Sequence, residues 1–332
     1  MPTIKNIIKP KKISKGAHVR IIAPSRSLGL LSEDVKNAAI ERLTNFGFRL
    51  SFGKNVNEID EFISSSVKSR ITDLHDAFSD KTVDAVFSVI GGYNSNQLLQ
   101  YIDYELISKN PKIICGYSDF TALANAITAK TGMITYIGPH FSTWAMQHGF
   151  EYTQEYFEKS CTKNDAFDLL QSKDWSDDSW YLDQEKREYI SNEGYWVLNP
   201  GHALGRVVGG HVRCLNALQG TEYWTGLDDS ILILEEDSEI NPSLFDRQLQ
   251  SIIHQSDFGN VKGVLIGRFQ NETKMKQELL EKIIKTKKEL AGIPIIANVN
   301  FGHTTPIATM PIGGSIEMTA SSGNSKIRII EH

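Results

Sequence analysis

The chain has 332 residues, enough to bury two ordinary hydrophobic cores, and 40% hydrophobic with 23% charged residues is typical of a globular protein. Its formal net charge of -5 offers no basic surface for phosphate contacts, which argues against a nucleic-acid partner. The N-terminal stretch lacks the apolar run of a signal peptide, and no later segment reaches membrane-spanning length. We therefore expect a cytoplasmic protein that does not contact membranes.

The three cysteines and nine histidines are scattered along the chain. An odd number of distant cysteines argues against a disulfide framework, and the histidines lack the i, i+4 spacing of a zinc-binding helix. We expect no metal site and no cofactor.

The first half alternates short apolar runs with amphipathic stretches, a pattern typical of βα units around a parallel sheet. Strands are predicted at residues 18–24, 84–90 and 112–116. Helices are predicted after Ser32, ending at Gly47, then around residues 67–78 and over 120–130.

The pattern changes after residue 174. Residues 174–196 are polar with interspersed aromatics and lack clear periodicity, which indicates a linker or active-site loop. Beyond them, strands are predicted at 205–212, 230–234, 263–269, 294–299 and 326–330, with one strong helix at 275–290. The predicted domains are residues 1–165, a linker and loop at 166–195, and a sheet-rich part at 196–332.

The sequence IICGYSDFTA, at 113–122, resembles a nucleophile elbow because an apolar strand passes through Ser118 directly into a helix. Such a turn exposes the serine hydroxyl beside the first backbone N–H groups of the helix. The pattern G-x-S-x-G is not met, since Phe120 replaces the second glycine. Ser-Asp before a helix is also a common capping sequence, and that alternative stays open.

Three further stretches could join such a serine. VIGGYN, at 89–94, ends a strand in paired glycines that can present backbone N–H groups. ILILEEDS, at 231–238, places carboxylates at the end of a buried strand, where an acid could orient an imidazole. NVNFGHTTP, at 298–306, places His303 in a loop after a strand. A plain turn, a solvated strand end and an exposed loop histidine are the alternatives.

Together, IGGYN, CGYSDFTAL, LEEDSE and FGHTTPIATMPIG resemble, in this order, the motifs of the LD-carboxypeptidase and microcin-immunity family of serine peptidases. The resemblance extends from APSRSLG, near the start, through GRVVGGH to the last strand. It implies an α/β fold with a Rossmann-like, parallel-sheet N-terminal domain and a smaller, sheet-rich, β-barrel-like C-terminal domain.

The resemblance also implies site residues. Ser118 is the expected nucleophile, His303 the general base, and the backbone N–H groups of Gly92 and Asp119 the oxyanion hole. Glu236 is the expected triad acid, because the family motif places this glutamate before an aspartate and eleven positions before an arginine. Glu235 is its competitor.

Two substrate classes follow from the resemblance: cytoplasmic murein tetrapeptides in cell-wall recycling, and microcin C-type peptide–nucleotide antibiotics, whose cleavage gives resistance. The tryptophan-bearing segment favours the second class, with Trp180 as a nucleobase platform, or as a residue that only packs the loop. Tyr93 and His211 are the other expected substrate contacts. His211 replaces the usual asparagine and Ile240 an expected lysine, so recognition can differ.

A homodimer is expected from the same resemblance. The competing interpretations are an α/β-hydrolase-type esterase, which shares the order serine, acid, histidine, and a non-catalytic small-molecule binding protein.

Overall fold

The computed structural model describes residues 6–332, which form two large β-sheets with their associated helices. In the first half, strands and helices alternate along the chain. The strands are β1 (His18–Ile22), β2 (Arg49–Phe52), β3 (Ala85–Ser88), β4 (Ile113–Gly116) and β5 (Thr135–Ile137). The α-helices are α1 (Glu33–Phe46), α2 (Val67–Ser79), α3 (Tyr104–Lys109), α4 (Phe120–Thr131) and α5 (Glu151–Thr162).

Helix α1 illustrates how local sequence sets an element. The Ser32 hydroxyl accepts a hydrogen bond from the Val35 N–H at 3.4 Å and so caps the first turn. Ala39 and Leu43, four residues apart, are fully buried on the inner face. The helix therefore begins after its predicted cap, ends at the predicted Gly47 and packs through an apolar stripe.

The second half contains more strands than helices. The strands are β6 (Phe167–Asp168), β7 (Asp174–Trp175), β8 (Ile190–Ser191), β9 (Trp196–Asn199), β10 (Gly201–His211), β11 (Ser230–Glu235), β12 (Gly263–Gly267), β13 (Ile295–Val299), β14 (Met310–Ile312), β15 (Ser315–Ala320) and β16 (Lys326–Glu331). The α-helices are α6 (Val212–Asn216), α7 (Pro242–Ile253) and α8 (Gln277–Lys285).

The strand orders of the two sheets differ in character. The first sheet has the order β14-β5-β4-β3-β1-β2, in which β1 to β5 are parallel and β14 is antiparallel to β5. The second has the order β6-β16-β15-β10-β11-β12-β13-β9, with β10 to β13 parallel. The predicted fold class, a parallel-sheet N-terminal part and a sheet-rich C-terminal part, is confirmed.

The two sheets share a hydrophobic core. Val86 and Ile114 of the first sheet belong to the same cluster of buried side chains as Val207 and Ile233 of the second. In addition, β14 returns to the first sheet from the C-terminal half. Continuous packing of this kind holds the ends of the two sheets in a fixed relation, which a site built from both requires.

Several helices differ from the predictions, and α3, α5 and α6 lie in stretches for which no helix was predicted. Helix α7 was not predicted, although Asn241 caps it, Pro242 occupies its first turn, and Phe245 and Leu249 are buried four residues apart. Helix α8 ends at Lys285, before the predicted end at residue 290. The domain limits at 165 and 196 stay a prediction. Over residues 6–332, no helix combines the length and apolar character needed to cross a membrane.

Candidate active site

Ser118 lies in the sharp turn between strand β4 and helix α4. Its φ of 64° is in the left-handed region, which costs a non-glycine residue on the order of 1 kcal/mol and is common at active sites. The side chain is half-buried, so its hydroxyl is within reach of a ligand. A Cβ on Gly91 would lie 2.8 Å from the Ser118 Oγ, so only glycine fits beside this turn. The local geometry is that of a nucleophile elbow.

His303 reaches Ser118 from the other sheet. It lies in the loop after β13, and its Nε2 is 3.1 Å from the Ser118 Oγ. The two residues are 185 positions apart in sequence. The contact therefore depends on the packing of the two sheets against each other.

The carboxylate beside His303 belongs to Glu235. Its Oε2 is 2.7 Å from the His303 Nδ1, whereas Glu236 points away and forms an ion pair with Arg213 at 3.1 Å. Successive residues of an extended chain project to opposite sides, so only one of two adjacent glutamates can face the imidazole. The expectation that Glu236 orients His303 is wrong, and its competitor Glu235 occupies that place.

Two glycines make room for Glu235. A Cβ on Gly302, which has φ of 108°, would lie 2.7 Å from the Glu235 Oε2, and one on Gly267 would lie 2.9 Å from the Glu235 Cβ. The glycine before His303 thus permits both the loop conformation and the close approach of the carboxylate. Gly302 stands directly before His303 in the sequence. That position is the signal that it makes room for a carboxylate beside the histidine.

Glu235 is buried yet charged. Burial alone would raise the pKa of its carboxyl group, but the charge and hydrogen bond of His303 outweigh burial and lower that pKa below its ordinary value. Only 1% of the residue is exposed. A buried carboxylate next to Nδ1 favours the tautomer that carries its proton on Nδ1, which leaves the Nε2 lone pair facing Ser118.

Arg213 holds three carboxylates beside the relay of hydrogen-bond contacts that runs from Ser118 through His303 to Glu235. Its guanidinium group contacts Glu236 at 3.1 Å, Asp237 at 2.5 Å and Glu239 at 3.0 Å. The fork of donors on an arginine suits such multiple contacts. Arg213 therefore fixes the chain that follows Glu235, a role that was not predicted from the sequence.

His211 lies within an acidic group formed by the carboxylates of Glu235, Glu236, Asp237 and Glu239. Its Nε2 is 3.2 Å from Glu236 and 3.4 Å from Asp237, and its ring centroid is 5.3 Å from that of His303. Burial would lower its pKa, but contacts with Asp237 and Cys214 and the charge of Glu235 raise that pKa well above the usual 6.5. His211, which was expected to contact the substrate, is thus 4% exposed and lies next to the relay.

The backbone N–H groups of Gly92 and Asp119 are the expected oxyanion donors. Within residues 6–332, neither donates a hydrogen bond to another protein group. The Asp119 carboxylate accepts hydrogen bonds from the Ser25 hydroxyl at 2.5 Å and the Ser95 N–H at 2.8 Å. Asp119 therefore ties the turn after β1 and the glycine turn after β3 to the elbow. This role of the Asp119 side chain was not predicted.

Tyr93 and Trp180 occupy different surroundings. Tyr93 is 67% exposed, and its hydroxyl donates to Glu239 at 2.6 Å, so it links the glycine turn to the acidic group. Trp180 is partly buried against the core of the first sheet and meets Tyr181 edge-on. Its segment is anchored where Ser176 and Thr305 exchange backbone hydrogen bonds of 2.7 Å, two residues beyond His303. The segment therefore lies next to the histidine loop.

Comparisons with known proteins agree on one family. Models of the LD-carboxypeptidase N-terminal and C-terminal domains match residues 19–138 and 204–318. The putative carboxypeptidase YocD of Bacillus subtilis is 50% identical over 321 residues, which are 97% of this chain and 99% of YocD. The crystal structure of an MccF-like protein from Bacillus anthracis has a TM-score of 0.97 at 49% identity, covering 98% of this chain and 100% of that one.

A more distant relative is the microcin C7 self-immunity protein MccF of Escherichia coli, which is 29% identical over 88% of this chain and 87% of MccF. A structure of MccF in complex with glutamyl sulfamoyl guanosine has a TM-score of 0.88 and covers 97% of this chain and 98% of that one. The matched family models together span more than half of the sequence. The chain therefore belongs to the LD-carboxypeptidase family of peptidases.

Proposed function

We propose that this protein is a serine peptidase that hydrolyses an amide bond in short peptides or aminoacyl–nucleotide conjugates. The observation that carries the proposal is the continuous relay from the Ser118 Oγ to the His303 Nε2, at 3.1 Å, and from the His303 Nδ1 to Glu235, at 2.7 Å. A nucleophile, a base and an orienting acid in hydrogen-bond contact are the requirements of nucleophilic catalysis by serine.

In the first half-reaction, the Ser118 Oγ attacks the substrate carbonyl carbon while the His303 Nε2 takes the hydroxyl proton. The Glu235 carboxylate stabilises the imidazolium that forms. Collapse of the tetrahedral intermediate breaks the C–N bond, and His303 gives its proton to the departing amine. The acyl group is left as an ester on Ser118.

In the second half-reaction, a water molecule attacks the ester carbonyl while His303 takes a proton from that water. Collapse breaks the bond to the Ser118 Oγ, which regains the proton from His303, and the carboxylic acid leaves. Both intermediates place negative charge on the carbonyl oxygen, which the free N–H groups of Gly92 and Asp119 are suited to bind. Losing one such donor typically costs about 10²–10³-fold in rate.

A covalent probe tests the nucleophile. Wild-type protein treated with a fluorophosphonate should gain one adduct on Ser118, and Ser118→Ala should gain none and lose hydrolysis by on the order of 10⁶-fold. Ser108→Ala, which removes a half-buried hydroxyl that donates to the Glu105 carbonyl and lies in helix α3, is the matched control. Labelling and hydrolysis that survive in Ser118→Ala would exclude the proposed nucleophile. Absence of both in wild type would favour a binding protein.

The substrate class we favour is an aminoacyl or peptidyl nucleotide conjugate, with Tyr93, Trp180 and His211 as contacts. Its support is the overall likeness to MccF, which binds glutamyl sulfamoyl guanosine, and the tryptophan-bearing segment beside the histidine loop. Incubation with an aminoacyl sulfamoyl adenosine and, separately, with a murein tetrapeptide should give cleavage products of the first by mass spectrometry. Cleavage of the tetrapeptide alone would assign the protein to the murein branch instead.

Two further expectations belong to this proposal. The protein should form a homodimer, which light scattering after size-exclusion chromatography tests. It should act in the cytoplasm, where both proposed substrate classes would be met, and fractionation of the source cells tests that location. The esterase alternative predicts faster turnover of simple aryl esters than of any amide substrate.

A further inference from the structure

The acidic group beside the relay contains ligands of the kinds that transition metals prefer. One ring nitrogen each of His211 and His303 and one carboxylate oxygen of Asp237 lie within 4.8 Å of one another. The sequence spacing gave no sign of this cluster, because the three residues come from the ends of three different segments. Two imidazoles and a carboxylate form a three-ligand set of the sort that zinc sites use, with a fourth position open.

A second observation points to a ligand at the same place. His211 is 4% exposed, and its Nε2 has no hydrogen-bond partner within residues 6–332, although Glu236 and Asp237 face it at 3.2 and 3.4 Å. Its other ring nitrogen faces the Cys214 sulfur at 3.3 Å. These two carboxylates face the nitrogen as they would face a bound cation, so a metal ion would bind there by taking the place of the proton that they hold on the imidazole.

The geometry needs little change to hold an ion. Tetrahedral zinc with bonds near 2 Å separates its ligand atoms by roughly 3.3 Å. The 3.4 Å between the His211 Nε2 and the Asp237 Oδ2 already matches that separation. The third ligand lies within 4.8 Å, so His303 would move by at most about 1.5 Å.

The charges around the cluster favour a cation. Four carboxylates, those of Glu235, Glu236, Asp237 and Glu239, lie in this group. Arg213 contacts three of them and His211 faces two, so four acidic groups meet two cationic ones. Buried oxygens of Glu235 and Glu236 also have no hydrogen-bond partner within the described residues. A divalent ion would offset this excess negative charge.

Glu235 would keep its present place when the ion binds. It contacts the Nδ1 of His303, so it can hold that imidazole in the tautomer whose Nε2 lone pair is free for a metal. A carboxylate behind a metal-binding histidine is a common outer-shell arrangement. The same Nε2 contacts the Ser118 hydroxyl, so the ion and the catalytic proton transfer would compete for one atom.

We propose that Zn²⁺ binds to His211, Asp237 and His303 and thereby inhibits the enzyme by occupying its general base. The inhibition rests on the proposed function, whereas the binding does not. Oxygen-preferring ions such as Mg²⁺ should bind weakly at this set, because imidazole ligands favour zinc and its transition-metal neighbours. The substrate and the ion would therefore exclude each other from the same end of the two sheets.

Binding is tested without activity. Calorimetric titration of metal-free protein with Zn²⁺ should show one ion per chain, and Co²⁺ should give the visible absorption of a tetrahedral site. His211→Asn and Asp237→Asn should each weaken binding by at least the 10–100-fold typical of an outer-shell partner. His202→Asn, which removes an exposed histidine of β10 that pairs with Glu317 of the neighbouring strand β15, should leave the affinity unchanged. Thermal melts confirm that each variant is folded.

Inhibition is tested separately on wild-type enzyme, where Zn²⁺ should lower the rate, EDTA should restore it, and Mg²⁺ should have no effect. Equal zinc affinity in wild type, His211→Asn and Asp237→Asn would overturn the site, as would the absence of saturable binding to wild type. Binding without loss of hydrolysis would overturn the inhibition. If no substrate is hydrolysed, the titration still decides the metal site while the proposed function fails.

Discussion

The Glu235 carboxylate and the His303 imidazole contact each other across two strand ends of the second sheet, with 2.7 Å between Oε2 and Nδ1. Glu235 is the last residue of β11, and His303 follows β13. The Ser118 hydroxyl approaches the other side of the same ring from the first sheet. The relay is thus complete only when the two sheets pack together.

The first prediction separates the two adjacent glutamates. Glu235→Gln should lower kcat on the order of 10⁴-fold, because a neutral amide no longer stabilises the imidazolium and can favour the wrong tautomer. Glu236→Gln should lower it far less, because Glu236 contacts Arg213 and His211 rather than His303. Steady-state kinetics on both variants provide the measurement. Equal losses, or a larger loss in Glu236→Gln, would contradict the assignment, and matching thermal melts exclude unfolding as the cause.

The two adjacent glutamates also show what the sequence alone could not predict. Ser118 and His303 each stand after an apolar strand in a glycine-containing loop, which is a local pattern and can be recognised. The choice between the glutamates is not local, because the preceding residues 231–234 are buried on both faces and give no alternation to indicate which side faces the histidine. The register of β11 against the histidine loop decides it, and that depends on tertiary packing.

The same distinction holds for the fold. Helices such as α1, with a serine cap and apolar residues four positions apart, could be predicted from spacing alone. So could the apolar strands β1, β3, β4 and β10 to β13, whereas β2 and β5 of the first parallel set were not predicted. The return of β14 to the first sheet and the cluster of His211 with Asp237 and His303 could not. Both join residues that are distant in sequence, and no short-range pattern encodes such contacts.

The second prediction concerns the space beside the elbow. Gly91→Ala places a methyl group 2.8 Å from the Ser118 Cβ and Oγ, so the Ser118 side chain must shift from its present position beside His303. A displacement near 1 Å typically costs about 10²-fold in rate, and both kcat and fluorophosphonate labelling should fall accordingly. Gly259→Ala, at an exposed glycine with no atom within 4 Å of the added carbon, is the matched control. Unchanged kcat in Gly91→Ala would show that the turn tolerates the methyl group.

The third prediction compares Trp180 with Trp175 of the 174–196 segment. Trp180→Ala should raise KM for an aminoacyl nucleotide conjugate by roughly 5–150-fold, the equivalent of the 1–3 kcal/mol that stacking on a base contributes. Trp175→Ala should affect KM less, because that ring packs over the Arg268 guanidinium at 5.3 Å. A conjugate that lacks its base should show no difference between wild type and Trp180→Ala. A KM that rises equally with and without the base would indicate that Trp180 only packs the loop.

The fourth prediction concerns pH and stability. Because the folded-state pKa of His211 is raised above its unfolded value near 6.5, its protonation stabilises the fold fully below that pH, and this contribution is lost as pH rises through the folded pKa. The difference in the free energy of unfolding between wild type and His211→Asn should therefore be largest at about pH 6 and decrease toward pH 9.

Urea unfolding of both proteins in EDTA, which removes any bound metal, measures that difference at each pH. The titratable groups around His211, namely Glu235, Glu236, Asp237, Cys214 and His303, are present in both proteins, so their direct contributions largely cancel. His202→Asn corrects for the general effect of replacing a histidine by asparagine, because the His202 ring is 57% exposed and far more solvated. A difference that stays constant or grows with pH would mean that His211 is neutral in the folded protein, and that its neighbouring carboxylates do not hold a proton on it.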